Sequence, residues 1–551
     1  MRACEPNHDG YVERDGVKLF YEVFGDGEPT LLLLPAWSIV QSRHWKAQVP
    51  YLSRHFRVVT FDGRGSGRSD SPTTAEAYLP MEFADDALAV MDAVGIDKAT
   101  LVSLSLGANP ALIMAARDPG RVAGAVFIAP ATPFGPGHVV RAIYDFDDVL
   151  DTDEGWAKYN RHYWKRDYRG FLEFFWSMAL PEPHSTKQIE DCTEWGLEIT
   201  PDTLILTVEA RSQLGDPETV QQQLRALCQN VASPVLVISG DNDNITPHDW
   251  AVELAERTNG TLVTLEGSGH LPHTRDPIQV NLLLRQFGES LRPATPTPTA
   301  RRWSRGKSRQ KRALYISSPI GLGHAQRDVA IADELRRLHP DLQIDWLAQH
   351  PVTAVLEAND ERIHPASASL ANESRHIESE SAEHDLHCFQ AWRRMDEILV
   401  ANFMVFDDLV DDEHYDLWIG DEAWELDYYL HENPERKRAA YAWLTDFVGW
   451  LPMPDTGDRE AFLTADYNAE MIEQIARFPR IRDRAIFVGD ADDIVPDDFG
   501  PGLPSIREWT EEHYAFAGYV TGFDPSPLLE RRDELRSELG YERDEDRKSV
   551  V

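Results

Sequence analysis

The stretch Leu101-Val-Ser-Leu-Ser-Leu-Gly-Ala108 constrains this chain more than any other. The apolar run Ala99-Thr-Leu-Val102 reads as a short buried strand. An Ala- and Leu-rich helical pattern from Pro110 to Arg117 follows at once. A strand that turns sharply into a helix with a serine at the apex is a nucleophile elbow. The turn strains the backbone at Ser105, so the residues two before and two after must be small. They are Ser103 and Gly107, with Ala108 alongside; Ser103 departs slightly from the usual Gly-x-Ser-x-Gly.

The chain around it supplies the rest of an α/β pattern. Tyr11 to Gly25 predicts a β-hairpin turning at Asp15-Gly16. Thr30-Leu-Leu-Leu-Leu-Pro35 and Phe56-Arg-Val-Val-Thr-Phe61 read as buried strands, and Met81 to Val94 as an amphipathic helix. Strands alternating with helices predict a mostly parallel sheet covered on both faces.

With 551 residues the chain has room for two to four domains, each burying its own core. The formal net charge of −39 argues against broad nucleic-acid or anionic-membrane binding. Cys4, Cys192, Cys228 and Cys388 are far apart and form no CxxC, which predicts neither a disulfide framework nor a zinc site. No signal-peptide h-region opens the chain and no run is long enough to span a bilayer. The expectation is a soluble, cytoplasmic protein with no cofactor and no metal.

Four segments together resemble the α/β-hydrolase family. They are Asp62-x-Arg64-Gly65-x-Gly67-x-Ser69, the elbow Ser103-x-Ser105-x-Gly107, a strand from Pro234 ending in Gly240-Asp-Asn-Asp243, and a strand from Leu262 ending in Gly267-Ser-Gly-His270. The resemblance covers residues 10–290 and implies the chain order Ser, Asp, His. It implies Ser105 as nucleophile, His270 as its base, and an acid that orients the imidazole. The family places that acid three residues after the glycine, which favours Asp243 over the competing Asp241. Two backbone N–H groups would hold the oxyanion. One is Leu106; the other comes from the loop after the Thr30 strand, where Pro35 has no N–H and the donor falls to Trp37. The same comparison implies that Asp62 and Arg64 brace the fold. Ser38 either lines the pocket or caps a turn, and His273 is expected at the surface or pocket rim. Dehalogenase and epoxide-hydrolase activities, which use an aspartate nucleophile in related proteins, are disfavoured by serine at 105.

Residues 146–230 are too long for a plain βα connection and carry aromatics at helical spacings, Trp156 to Trp176. They predict a helical cap and a small or medium hydrophobic acyl substrate. The expected hydrolase domain is 1–290.

Residues 291–312 read as a linker, Pro/Thr-rich from Leu291 to Thr299 and then basic, the basic part a solvated tether rather than a nucleic-acid patch. From 313 a second α/β pattern starts: a strand, Ala313 to Ser318, a Gly-rich turn, Pro319 to Arg327, and a helix from Asp328 to Leu338. Gly321-Leu-Gly-His324-x-x-Arg327, Asp416 to Ala423 and Trp443 to Asp446 resemble the N-terminal acceptor half of GT-B glycosyltransferases. That implies a Rossmann-like half-domain over 313–551 with an acceptor-binding loop at Gly321, Gly323 and His324, and a sugar-acceptor molecule as its partner. Pro527 to Gly540 is expected as one charged helix, and Arg547 to Val551 as the start of a strand where the chain stops, which leaves no donor-binding domain. The expected function is serine hydrolysis of a small ester, thioester or related acyl bond. Its rivals are an incomplete glycosyltransferase and a non-catalytic binding module.

Overall fold

The computed structural model describes residues 2–292, 305–381, 386–453 and 456–540. It divides into two compact units, Met1–Arg301 with Trp392–Met404, and Arg302–Ala391 with Val405–Val551.

The first unit is built on an eight-stranded sheet. Its strands are β1 (His8–Arg14), β2 (Val17–Phe24), β3 (Thr30–Leu33), β4 (Arg57–Phe61), β5 (Ala99–Leu104), β6 (Val122–Ile128), β7 (Val235–Gly240) and β8 (Thr261–Leu265). The order is β1-β2-β4-β3-β5-β6-β7-β8. β1 and β2 run antiparallel, β2 meets β4 antiparallel, and the rest pair in parallel. The hairpin turns at Asp15 and Gly16, both at positive φ, the twist a two-residue loop needs. β3 and β5 are buried at every residue, as strands covered on both faces must be. Leu32 and Leu34 enter the same core layer as Val90, Met91, Leu112 and Leu254. Leu31 and Leu33, equally buried, point to the other face by the two-residue period.

The Gly-rich segment after β4 braces this fold. Asp62 accepts from the backbone N–H of Ser42 and Arg68, at 2.9 Å each. Arg64 makes a two-pronged pair with the fully buried Asp86, at 2.6 and 2.8 Å. Between β6 and β7 the chain forms helices Arg161–Arg166, Tyr168–Ala179, Thr186–Leu197, Pro201–Ser212 and Pro217–Cys228. Trp164 and Phe175 there pack with Trp37, ring to ring, and Phe171 packs on Trp164. All four cysteines are free thiols.

The second unit is a six-stranded, all-parallel sheet in the order β10-β9-β11-β12-β13-β14. The strands are β9 (Lys311–Ser317), β10 (Leu342–Leu347), β11 (Leu417–Asp421), β12 (Ala440–Thr445), β13 (Arg484–Phe487) and β14 (Ala515–Phe516). Three expectations are corrected here. The turn after β9 is shorter than its sequence implies, because the helix begins at Leu322, with Gly321 at φ +101 before it. Gly323 and His324 are therefore helical and not in a loop. Favourable backbone bonds carry the helix back through Gly323, which weakens a helix but does not forbid one. Ser526–Glu530 and Arg532–Glu538 are two short helices, not one. The basic stretch does not end as a free tether. Arg309 pairs with Asp416, and Arg312 with Asp345 and Glu413, so its last residues are tied by charge to the sheet, Arg312 from within β9 itself. Residues 293–304, most of the Pro/Thr stretch with the start of the basic one, and the final residues 541–551 lie outside the described residues. Among the described residues, no helix is long and apolar enough to cross a membrane.

Candidate active site

β5 delivers Ser105 into a tight turn, where its φ is +51, an uncommon value for a residue with a side chain. The turn closes only because its neighbours are small. Ser103 is buried and gives its hydroxyl proton to the Val126 carbonyl at 3.0 Å. A Cβ on Gly107 would lie 2.4 Å from the carbonyl oxygen of Pro35. The Pro35 carbonyl thus takes the space a side chain at 107 would need. Gly107→Ala is therefore expected to lower stability by about 1–3 kcal/mol, as overpacking does, and urea unfolding measures it. An unchanged midpoint would show that Pro35 moves freely.

The end of β8 brings His270 to Ser105, and the end of β7 brings Asp243 to His270. His270 Nδ1–H donates to Asp243 Oδ2 at 2.8 Å, which leaves Nε2 bare to accept from Ser105 Oγ, also at 2.8 Å. Asp243 is held from its far side. Its Oδ1 accepts the backbone N–H of Ile245 (2.7 Å) and Thr246 (2.9 Å), and its Oδ2 the Thr246 hydroxyl (2.7 Å). Burial raises this carboxyl's pKa, but the charge and hydrogen bond of His270 and the Thr246 bonds outweigh it, so the net shift is downward. Asp241 is elsewhere; it is exposed and accepts from Gly267 N at 2.6 Å. Thr246 was not singled out in the sequence, although its spacing from Asp243 is that of a side chain capping its own turn.

Ser105, Leu106 and Trp37 line one cavity of about 430 Å³, together with Tyr78, Phe83 and Phe175. Ser38 lines it too, and its hydroxyl donates to the Arg64 carbonyl at 2.8 Å, a tie to the Gly-rich segment rather than the cap of its own turn. Trp37 Nε1 donates to Thr207 at 2.7 Å, which sets the indole against the helix Pro201–Ser212.

His273 is not at the surface. It is fully buried behind His270, its Nε2 3.1 Å from His44 Nδ1. The sequence placed it three residues after His270 but could not show His44, more than two hundred residues earlier, closing over it. Burial pushes the His44 imidazole down to about 3 and, with the neighbouring His44 and His270, holds His273 well below its ordinary value. Both stay neutral in the folded chain, whereas the unfolded chain protonates them near pH 6.5. The unfolded state thus binds more protons, and stability falls as pH drops below 6.5. The expected loss is about 1 kcal/mol per histidine between pH 7 and pH 5.5. Urea unfolding at the two pH values, with His44→Phe as control, should show a shallower loss in the variant; an equal loss would contradict it.

In the second unit His324 lies between two carboxylates, 3.8 Å from Glu422 and 3.6 Å from Asp446. Arg327 binds Asp421 through two N–H groups, at 2.9 and 2.5 Å, and Asp446 at 2.7 Å. Burial pushes Glu422 up to about 7, against the pull of His324. Donor atoms of His324, Glu422 and Asp446 lie within 4.8 Å of one another, a set able to take a cation, although Arg327 already neutralises Asp446. Gly321 precedes this cluster in the turn after β9.

Residues 29–277 match the family described as alpha/beta hydrolase fold. The bifunctional esterase/perhydrolase DCH of Acinetobacter calcoaceticus is 35% identical over 295 residues, covering 50% of this chain and 99% of that protein. The AB hydrolase superfamily protein YisY of Bacillus subtilis (strain 168) is 28% identical over 282 residues, covering 50% of this chain and 96% of its own length. Among solved structures, the enol-lactonase from Burkholderia xenovorans LB400 is 20% identical with a TM-score of 0.41, covering 50% of this chain and 99% of that one.

Proposed function

The chain belongs to the α/β-hydrolase family through its first half and is a hydrolase, and on that premise we propose that it cleaves a small ester, thioester or related acyl bond through an acyl-enzyme on Ser105. The observation that carries this reading is the line Ser105 Oγ, His270, Asp243, with both links at 2.8 Å. Ser105 Oγ attacks the acyl carbon as its proton passes to His270 Nε2. Asp243 keeps the proton on Nδ1 and stabilises the imidazolium. The carbonyl oxygen becomes an oxyanion, held by the N–H groups of Leu106 and Trp37. Collapse breaks the bond to the leaving group, which departs with the proton from Nε2. Water then gives a proton to Nε2, its oxygen attacks the acyl carbon, and the acid leaves as Ser105 regains its proton. An apolar cavity of about 430 Å³ suits a substrate of modest size. Stopped-flow hydrolysis of p-nitrophenyl acetate tests the scheme. It expects a burst of p-nitrophenol equal to the enzyme added, with Ser105 acylated on acid quench. A burst with no acyl group on Ser105 would overturn it.

For the second unit we infer the acceptor-side half of a GT-B glycosyltransferase fold, with a sugar acceptor at Gly321 and His324. This reading is supported by the parallel order β10-β9-β11-β12-β13-β14 and by the gathering of His324, Glu422 and Asp446 where β9, β11 and β12 end.

A further inference from the structure

Arg141 and Arg211 are the only charged side chains among the residues lining the cavity that holds Ser105. In a chain where Asp and Glu outnumber Lys and Arg by 93 to 54, most arginines have acids within reach. Among the described residues neither of these two forms an ion pair with a carboxylate, although Arg141 feels the charge of Asp243. Arg141, on the turn Val139–Ala142, donates to the Ile245 carbonyl. Its guanidinium lies 4.8 Å from the centre of the Trp156 ring and 5.8 Å from that of Tyr159. Arg211, near the end of the helix Pro201–Ser212, donates to the Tyr159 hydroxyl at 2.9 Å, with its guanidinium 5.4 Å from the Trp37 ring centre.

Stacking accounts for the flat faces of the two guanidiniums and leaves their edges free. Each has five N–H donors, of which one is used by the protein. Two like charges in an apolar cavity repel, and burial adds to this. Burial first, and Arg211 with it, push the Arg141 guanidinium below its ordinary value, against the pull of Tyr159 and Asp243. An anion taken by both relieves the repulsion and fills the planar forks, which match a carboxylate. Arg64, which braces the fold, has Asp86 beside it instead.

We propose that Arg141 and Arg211 hold a carboxylate of the substrate, so that this cavity takes small anionic esters or lactones. The proposal rests on the hydrolase reading of Ser105. It names the substrate class and makes the two arginines specificity determinants.

The test compares two matched pairs of esters on the full chain. Mono-p-nitrophenyl adipate against p-nitrophenyl hexanoate places the charge on the acyl side. 4-Carboxyphenyl hexanoate against phenyl hexanoate places it on the alcohol side. In at least one pair kcat/KM should favour the anion by about 10–100-fold, the worth of a charge-assisted contact. Added salt should erode that preference. Arg141→Met and Arg211→Met should bring the ratio towards one, and Arg141→Lys and Arg211→Lys should keep part of it. A ratio near one in both pairs, or Met variants that lower charged and neutral esters alike, would overturn the proposal. Should a Met variant fail to fold by circular dichroism, the Lys variants and the salt dependence decide. Calorimetric titration of adipate into the Ser105→Ala protein separates the two readings. Adipate binding that Arg141→Met abolishes supports the anion site even if no ester is turned over, and no adipate binding counts against the site even if Ser105 is acylated.

Discussion

Replacing Ser105 by alanine is expected to lower turnover of p-nitrophenyl esters by on the order of 10⁶-fold, the loss seen when a nucleophile acting as one unit with its base is removed. The fold should persist. The serine hydroxyl meets only His270 Nε2 among the described hydrogen bonds, and alanine tolerates the turn no worse than serine. Far-UV circular dichroism should therefore match the parent while activity disappears. Residual activity within tenfold of the parent would mean that another residue attacks the acyl carbon.

Asp243→Asn is expected to cost on the order of 10⁴-fold in kcat. The asparagine still accepts from Ile245 and Thr246 through one oxygen, so its amide nitrogen is turned towards His270 Nδ1. An amide donor there demands a bare Nδ1, which puts the proton on Nε2. The imidazole then cannot accept from Ser105. Asp241→Asn should stay close to the parent, since Asp241 serves only the backbone of Gly267. Steady-state kinetics on the two variants ranks them directly, and the opposite ranking would make Asp241 the orienting acid.

Much of the first unit was legible because its signals are local. Ser105 sits between a mostly apolar strand and an alanine-rich helix, and Asp15-Gly16 between two strands. Each is read from a handful of consecutive residues, and the structure forms β5 and the β1–β2 hairpin there. The juxtaposition of Ser105, Asp243 and His270 was legible for a different reason. Successive parallel strands end on the same edge of a sheet, so residues at three strand ends converge whatever lies between them. What escaped notice depends on contacts far apart in sequence. His273 looked like a rim residue because nothing near it announces His44. Arg309 and Arg312 looked like a tether because their acids, Asp416, Asp345 and Glu413, come from later elements. Arg141 and Arg211 carried no motif at all; only the folded segment between β6 and β7, a turn for one and a helix for the other, brings them to one cavity. The start of the helix at Leu322 was misjudged because two glycines there read as a turn; Gly321 does lie in the turn, but Gly323 is already in the first helical turn.

The central claim is that Ser105 is the nucleophile. The most direct measurement is to incubate the full chain with a fluorophosphonate and map the adduct by mass spectrometry. The account predicts one adduct per chain, on the peptide bearing Ser105, and none in the Ser105→Ala variant. An adduct on a different residue, or equal labelling of the variant, would contradict it.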